Sequence, residues 1–267
     1  GIIGGEVTID ITGGKVTTLV GGNQGYSNVA SPYQGQTTIN ISNGTVTNLY
    51  GAGTGRNISI PTYDGKLMIN VTGGSVENIY GAGSAAYVIS PEGKAPSEVN
   101  ISVTGGTVKN IFAAGRGNDG AVTDTHNGGS LLDSEKFGSL TGKANIMVGG
   151  EAVISGNIYA SGEGAEPGEK KYTTTNNAYL DGQATITIGG NAHILGGVYG
   201  GGQGIAKTEY AECARVTKSS TVEVQITGGT VEGNVYGGGR IAKMEGNTSV
   251  SMSGGVVKGK IYGGGEN

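Results

Sequence analysis

A short motif recurs along the whole chain, and no other feature restricts the fold as strongly. It consists of a strand with alternating apolar residues, a glycine-containing corner, a second short strand and a glycine-rich exit, and Val224–Gly239 is a complete copy. Eight copies align, and the residue before each exit falls at positions 20, 50, 80, 112, 159, 199, 236 and 262. Their spacings are 30, 30, 32, 47, 40, 37 and 26 residues. A unit of this size cannot bury its apolar face alone, so the recurrence predicts coils that stack on one another.

The alternation within each copy predicts strands rather than helices. Ile69 and Val71 are expected to point inward and Asn70 outward, and this period of two recurs in the other copies. A third, weaker strand is predicted after the first three exits, at 27–30, 57–60 and 86–90. We therefore predict an all-β fold, a single-stranded parallel β-helix (β-solenoid) of about eight coils, as one domain over residues 1–267. A β-propeller is the main alternative, but a 26-residue spacing is too short for a four-stranded blade.

Almost all of the length variation lies in the connections that follow the strand pairs. Three consecutive connections are long, at 116–142, 163–182 and 203–220. Insertions in a repeat protein map to one face, so we expect these loops to cluster on one side. They hold much of the charge of the chain, and loops on a rigid scaffold commonly carry binding residues.

The glycines have a mechanical interpretation. They make up 56 of the 267 residues, far above the usual ~7%. Pairs such as Gly73-Gly74 and Gly228-Gly229 are expected to adopt positive φ at a tight corner. The Gly-x-Gly exits are expected to allow a sharp bend or close backbone packing. Because no Lys-Ser/Thr pair and no helix follows these exits, they do not predict a phosphate-binding loop.

Charge and cysteine content exclude several classes of function. A net charge of −4 with 14% charged residues argues against nucleic-acid binding. No apolar run approaches the ~20 residues of a membrane-spanning helix. Cys213 is the only cysteine, which excludes an internal disulfide framework and a cysteine-ligated metal cluster. We therefore expect no cofactor, no metal, no nucleic-acid partner and no direct membrane insertion.

Tyrosine fills the position before most exits and is the first candidate for ligand binding. The neighbouring aliphatic residue is the natural interior one, which turns each tyrosine outward into a ladder with ~4.8 Å steps. Such a ladder either stacks on sugar rings or docks a partner, or it is covered, with the rings stacked on each other or lying under the third strand and its loops. The ladder tyrosines are Tyr50, Tyr80, Tyr159, Tyr199, Tyr236 and Tyr262. The further candidates, in the insertions, are His126, Tyr172 and Tyr179.

The sequence contains no recognisable catalytic constellation. A glycoside hydrolase needs two carboxylates that flank one bond, and no spacing selects a pair among Asp119, Asp124, Asp133, Glu163 and Asp181. Arg116 with Asp119 and Asp124 is a loose match to a lyase site, and 117–120 is either a calcium-binding loop or a plain turn. His193 aligns with Val231 of the seventh copy and is interpreted as a structural substitution near a corner. A non-enzymatic function is therefore favoured.

The motif at Ile226–Gly239 resembles repeats of large surface or secreted proteins of gut bacteria. Those proteins are adhesin-like, pectin-lyase-like right-handed parallel β-helices, and the resemblance extends through the repeats over nearly the whole chain. It implies an extracellular or cell-surface bacterial protein. It supplies no catalytic residues.

Three functions fit such a scaffold. The first is an adhesin-like or structural binding module that presents its insertions to a glycan or to a host or bacterial surface protein. The second is a carbohydrate-active enzyme, a polysaccharide lyase or a glycoside hydrolase. The third is a component of a phage or filament fibre. Because neither end shows a polar cap, we also expect a segment of a longer array or copies that associate end to end.

Overall fold

The computed structural model describes residues 4–25, 33–55, 62–117, 137–165 and 177–267, except the side chain of Glu209. Within these ranges the chain forms strands and one short 3₁₀ helix, Thr208–Tyr210. No helix among the described residues has the length and hydropathy needed to cross a membrane. The strands in chain order are β1 (Glu6–Val20), β2 (Tyr33–Tyr50), β3 (Thr62–Val71), β4 (Ser75–Tyr80), β5 (Tyr87–Val88), β6 (Glu98–Val103), β7 (Thr107–Phe112), β8 (Leu140–Val148), β9 (Val153–Ile154), β10 (Ile158–Tyr159), β11 (Leu180–Ile188), β12 (His193–Ile194), β13 (Val198–Tyr199), β14 (Thr221–Val231), β15 (Val235–Tyr236), β16 (Asn247–Val257) and β17 (Ile261–Tyr262).

Each strand pairs in parallel with the equivalent strand of the next coil. Ile39 of β2 is in register with Ile69 of β3, and Ile101 of β6 continues the same column. The position before each glycine-rich exit is also in register from coil to coil, beginning with Val20 beside Tyr50 and ending with Tyr236 beside Tyr262. The chain is therefore an all-β, single-stranded parallel β-helix, as the repeat predicts. Parallel pairing between coils is incompatible with the hairpin-linked blades of a propeller.

The alternation along the strands places every second side chain inside the coils. In β6, Val99, Ile101 and Val103 are buried, whereas Asn100 and Ser102 are partly exposed. Equivalent residues of successive coils join into one continuous core cluster. Each buried aliphatic side chain contributes about 1.5–3 kcal/mol relative to an exposed one, so stacking provides the stability that a single coil lacks.

The two kinds of glycine have the roles predicted from the sequence. Gly74, the second residue of its pair, has φ 73° at the corner between β3 and β4. A side chain is strained in this left-handed conformation, whereas glycine is not. Gly81, in an exit, packs closely against the next coil: a Cβ there would lie 2.2 Å from the carbonyl oxygen of Ala113.

A third side completes each coil. Tyr63 of β3 is in register with Val88 of β5, and Val88 with Leu140 of β8. The third strand predicted at 86–90 thus coincides with β5. Those predicted at 27–30 and 57–60 lie outside the described residues.

The three long connections leave and rejoin the coils at equivalent positions. They begin at Arg116, Glu163 and Gln203, which form successive bridges in one ladder. They end near Leu140, Leu180 and Val216, which are also successive neighbours. The described ends of the insertions therefore lie on one side of the β-helix, as predicted. Residues 118–136 and 166–176, the middles of the first two, lie outside the described ranges.

Candidate binding surface

Seven aromatic rings form a stacked column along the β-helix. Consecutive ring centroids lie 4.8–5.0 Å apart, and the ring planes are within 3–14° of parallel. This spacing equals the distance between neighbouring strands of a sheet, because each coil contributes one ring. We call this set the aromatic column; its members are Tyr50, Tyr80, Phe112, Tyr159, Tyr199, Tyr236 and Tyr262.

The column is separate from the main core, although its rings are buried. The aliphatic neighbours, such as Leu49 and Ile79, belong to the main core, whereas the rings form their own cluster. The tyrosines therefore point away from the aliphatic core, as the alternation predicts. From Tyr50 to Tyr236 the rings are at most 7% exposed, and Tyr262 is 39% exposed. Stacking between rings, one of the two arrangements expected from the sequence, is the one observed.

A polar row runs beside the column. Each of its members lies four residues after the residue that precedes a glycine-rich exit. Its members form a continuous ladder of parallel bridges at the ends of successive glycine-rich exits. We call this set the polar row; it comprises Gln24, Thr54, Ser84, Arg116, Glu163, Gln203, Arg240 and Glu266. The row also includes the residues at which the three insertions begin.

The first charged cluster of the polar row joins Arg116, Glu163 and Tyr80. The Tyr80 hydroxyl donates a hydrogen bond to Glu163 Oε2 at 2.5 Å, and Arg116 Nε lies 3.3 Å from the same oxygen. Phe112, between Tyr80 and Tyr159 in the column, has no hydroxyl to compete for this carboxylate. Burial, followed by the negative charge of Glu163, raises the pKa of Tyr80, so the tyrosine remains a neutral donor.

The second charged cluster repeats the first with Arg240, Glu266 and Tyr199. The Tyr199 hydroxyl donates to Glu266 Oε2 at 2.6 Å, and Arg240 Nε lies 3.4 Å from that oxygen. Burial and the bond to Glu266 raise the pKa of Tyr199. The Tyr159 hydroxyl lies close to the guanidinium of Arg240 and is the main reason why the pKa of Arg240 is raised above its usual value. We refer to the two clusters as the Arg–Glu–Tyr triads.

A third group of charges lies at the end of the 203–220 insertion. Arg215 Nη1 is 3.1 Å from carboxylate oxygens of both Glu212 and Glu245, and Lys243 Nζ is 3.0 and 3.1 Å from the same two residues. Lys243 holds the pKa of Glu245 below its usual range. These two carboxylates are close together, but a side chain with a lowered pKa is not a proton donor near neutral pH. The carbon atom of the Arg215 guanidinium also lies 5.9 Å from the ring centre of Tyr179, a candidate residue that packs here and not in the aromatic column.

His193 is not at the position expected from the sequence. It is in register with Thr230, and Ile194 is the residue in register with Val231. The alignment was wrong by one residue, because the corner before this strand is one residue longer than in the seventh copy. His193 therefore points outward, where its Nε2 lies 2.7 Å from Glu232 Oε1, and Lys258 Nζ donates to the same oxygen at 2.8 Å. The hydrogen bonds from Lys258 and then His193 hold the pKa of Glu232 below its usual range.

The remaining candidates are separated in the structure. Asp181 accepts hydrogen bonds from Thr217 and Ser219, each at 2.8 Å, and Glu163 belongs to the first triad. His126, Tyr172, Asp119, Asp124 and Asp133 lie outside the described residues. Over the described ranges, no group of three or more His, Cys, Asp or Glu side chains could hold a metal ion.

A shallow depression of about 300 Å³ lies on the second face of the coils and shares no residue with the polar row. Its lining is rich in hydroxyl groups, including those of Thr45, Ser75 and Thr107. Glu77 and Lys109 also line it and form an ion pair of 3.0 Å, with about half of each side chain exposed. The depression is an open surface rather than an enclosed pocket.

The triads could have been found in the sequence from the residue that lies four positions after the column position of each copy. That position changes from Thr54 and Ser84 to a charged residue at Arg116 and Glu163, and again at Arg240 and Glu266. The glycines that precede this position indicate only a bend. The partnership with the tyrosine hydroxyls could not have been predicted, since it joins residues two coils apart.

Comparisons with protein-family models, with curated proteins and with solved structures give no match for this chain.

Proposed function

We propose that this β-helix is a non-catalytic binding module of a bacterial cell surface and that its ligand is a glycan. The observation that carries the proposal is the pair of Arg–Glu–Tyr triads on a row of fixed spacing. Arg and Glu offer planar sets of donors and acceptors, which match the hydroxyl pairs of a sugar. In each triad the glutamate is held by both the tyrosine hydroxyl and the arginine, so little of its side-chain freedom is lost on binding.

The form of the surface supports binding rather than catalysis. An extended row and an open depression suit a polymer that contacts many coils, whereas small-ligand and enzyme sites are concave. The close carboxylate pair, Glu212 and Glu245, is engaged by Arg215 and Lys243, and Lys243 lowers the pKa of Glu245. The extracellular location in this proposal rests on the resemblance of the repeat to those of bacterial surface proteins.

A glycan array combined with a polysaccharide-degradation screen tests the proposal. The folded chain is expected to bind a subset of glycans and to release no new reducing or unsaturated ends from them. Thermally unfolded protein serves as the control for non-specific adsorption. Release of such ends would instead assign the chain to the carbohydrate-active enzymes. Absence of binding to every glycan on the array would overturn the proposal.

A further inference from the structure

We propose that copies of this chain associate head to tail, so that the coil of β16 and β17 in one copy pairs in register with the coil of β1 in the next. We call strand β1 the leading edge, and strands β16 and β17 the trailing edge. The occupant of each edge is the opposite edge of a second copy of this chain. The product is a linear assembly along the β-helix axis. The proposal does not rest on the glycan-binding function.

Both edges have one side without a pairing strand among the described residues. There, β1 pairs only with β2, β16 only with β14 and β17 only with β15. An inner strand such as β3 is paired on both sides, with β2 and with β6. The backbone N–H and C=O groups along an edge strand are available to a further strand. The two edges therefore offer the two halves of the parallel pairing that joins the inner coils.

The trailing edge exposes side chains at core positions. Met252 and Ile261 are 45% and 47% exposed, whereas Ile226 and Val235, their neighbours in the preceding coil, are fully buried. The difference arises because a following coil covers the inner positions, and none of the described residues covers Met252 and Ile261. A further coil would remove this apolar surface from water, which stabilises an assembly.

The leading edge has the complementary character. Ile9 is only partly buried, whereas Ile39, its neighbour in the next coil, is fully buried. Val20 lies beside Tyr50 and packs against the aromatic cluster. At the other end of the same column, the ring of Tyr262 is 39% exposed. The Val20 side chain of a second copy would cover Tyr262 as Val20 covers Tyr50 within the chain.

The strand register specifies how the two edges meet. The core columns run from the first coil to the last, so one more coil at the trailing edge continues each column. This extension brings apolar residues together at four core positions. The pairs, with the trailing-edge residue first, are Val250–Ile9, Met252–Ile11, Val257–Val16 and Ile261–Leu19.

The outward side chains of the two edges are also compatible. The same extension places Asn247 beside Glu6 and Ser251 beside Asp10. An amide and a hydroxyl can donate to these carboxylates, as the Asn40 amide donates to Asp10 at 2.8 Å within the chain. Two edges of the same kind meet only when one copy is turned end over end, which makes the strands antiparallel. The columns are then not continued, so the register favours the head-to-tail contact.

Sedimentation velocity of the full chain, over a wide range of protein concentration, tests the proposal. Met252→Lys alters the trailing edge and Ile9→Lys the leading edge. Met147→Lys is the matched control, because Met147 is 51% exposed but lies on β8, which is paired on both sides. Thermal unfolding verifies that each variant is folded. Val7→Lys, at another partly buried position of β1, replaces Ile9→Lys if that variant does not fold.

We expect the wild type and Met147→Lys to form a concentration-dependent series of oligomers. Each edge variant alone should need at least ~10-fold more protein to associate, because lysine places a charge in an apolar contact. An equimolar mixture of the leading-edge and trailing-edge variants should form dimers and no larger species, since each variant retains the edge that the other lacks.

Several results would overturn the proposal. One is a wild type that is monomeric at every concentration. Another is Met147→Lys losing association as the edge variants do, which would place the contact on a side of the coils. If only one of the two edge variants loses association, the contact joins edges of the same kind. None of these results changes the outcome of the glycan array, so the two proposals fail separately.

Discussion

A column of glycines that the repeat did not reveal imposes the most severe restriction on single residues. It comprises Gly35, Gly65, Gly142 and Gly182, all with φ between 147° and 152°. In the case of Gly65, an added Cβ would lie 1.9 Å from the carbonyl oxygen of Gly35 in the preceding coil. Backbone on the opposing side cannot move without breaking the parallel pairing, so glycine is required by both conformation and space.

Gly65→Ala is expected to destabilise the chain by roughly 2–4 kcal/mol. Gly13→Ala is the matched control, because nothing lies within 4 Å of a Cβ at that position. It should change the free energy of unfolding by less than about 0.5 kcal/mol. Urea-induced unfolding measures both. Equal stability of the two variants would show that the close approach at Gly65 is relieved by a small shift.

Ile241 carries strain that glycine would remove. Its φ of 52° is in the left-handed region, and its side chain is 37% exposed, so little packing supports it. The conformation costs a non-glycine residue about 1–2 kcal/mol, and glycine adds about 0.4–1 kcal/mol of unfolded-state entropy. Ile241→Gly should therefore stabilise the chain by about 0.5–1 kcal/mol, seen as a higher thermal midpoint.

Ala214→Gly serves as the control for Ile241→Gly. Ala214 has a similar φ of 58°, but it is fully buried. Relief of strain is then offset by the loss of a buried methyl group, worth about 0.8 kcal/mol. We expect no gain from this substitution. A loss of stability in Ile241→Gly would mean that contacts of the isoleucine side chain outweigh its strain.

The sequence predicts some glycine positions well and others not at all, for a physical reason. Gly74 and its equivalents follow the recurring strand pattern, in a Gly-Gly pair in seven copies and as Asn43-Gly44 in the second, so their corner is visible as part of the repeat. The residue before the column glycine is not constant, since it is Gln34, Asp64, Thr141 or Asp181. The cause of the column is a contact with another coil, and such contacts are not encoded locally.

Among the structural elements, an asparagine ladder fixes the second corner of the coils. Asn110 Nδ2 donates to Asn78 Oδ1 at 3.0 Å, and its own Oδ1 accepts from the backbone N–H of Asn157 at 3.0 Å. Asn157 in turn accepts from the backbone N–H of Gly197 at 2.7 Å. The amides thus satisfy backbone donors where the strand is interrupted.

Asn110→Ala should destabilise the chain by about 1–3 kcal/mol, because it leaves a partly buried N–H and a side-chain oxygen without their partners. Asn100→Ala removes a bond of similar length, 2.9 Å to Asn145, but on an exposed face. Water replaces that partner, and the expected loss is below about 0.5 kcal/mol. Chemical denaturation of the two variants compares them directly. A cost for Asn100→Ala as large as that for Asn110→Ala would argue against burial as the cause.

The aromatic column shows how far the periodicity of a single strand can be used. Alternation correctly assigns Ile79 to the core and turns Tyr80 away from it. It does not indicate what covers the tyrosine, because the cover consists of rings and polar-row residues from other coils. The same limit applies to His193: one additional residue in a corner reverses the side to which a strand residue points.

At the scale of the whole molecule, the stacking of coils makes buried tyrosine hydroxyls a shared property. Burial raises the pKa of Tyr63, Tyr80, Tyr159 and Tyr199 above the usual value. Tyr63 stacks on Tyr33 on another side of the coil, with its hydroxyl donating to the Lys66 carbonyl at 2.9 Å. Both aromatic stacks therefore oppose ionisation of their tyrosines.

This shared property predicts alkaline unfolding with a defined onset. In the unfolded chain tyrosine loses its proton near pH ~10, whereas in the folded chain these four retain it. Stability should thus be unaffected by tyrosine below about pH 10 and decrease as the pH rises further, since the unfolded state then binds fewer protons. Burial also raises the pKa of Cys213, which adds a further decrease in stability from about pH 8.5.

Ultraviolet titration should show that fewer than the 13 tyrosines ionise while circular dichroism reports a folded chain. Tyr80→Phe and Tyr199→Phe should reduce the slope of stability against pH above pH ~10, and a Cys213→Ser background isolates their effect. Ionisation of all tyrosines in the folded chain would contradict the buried column.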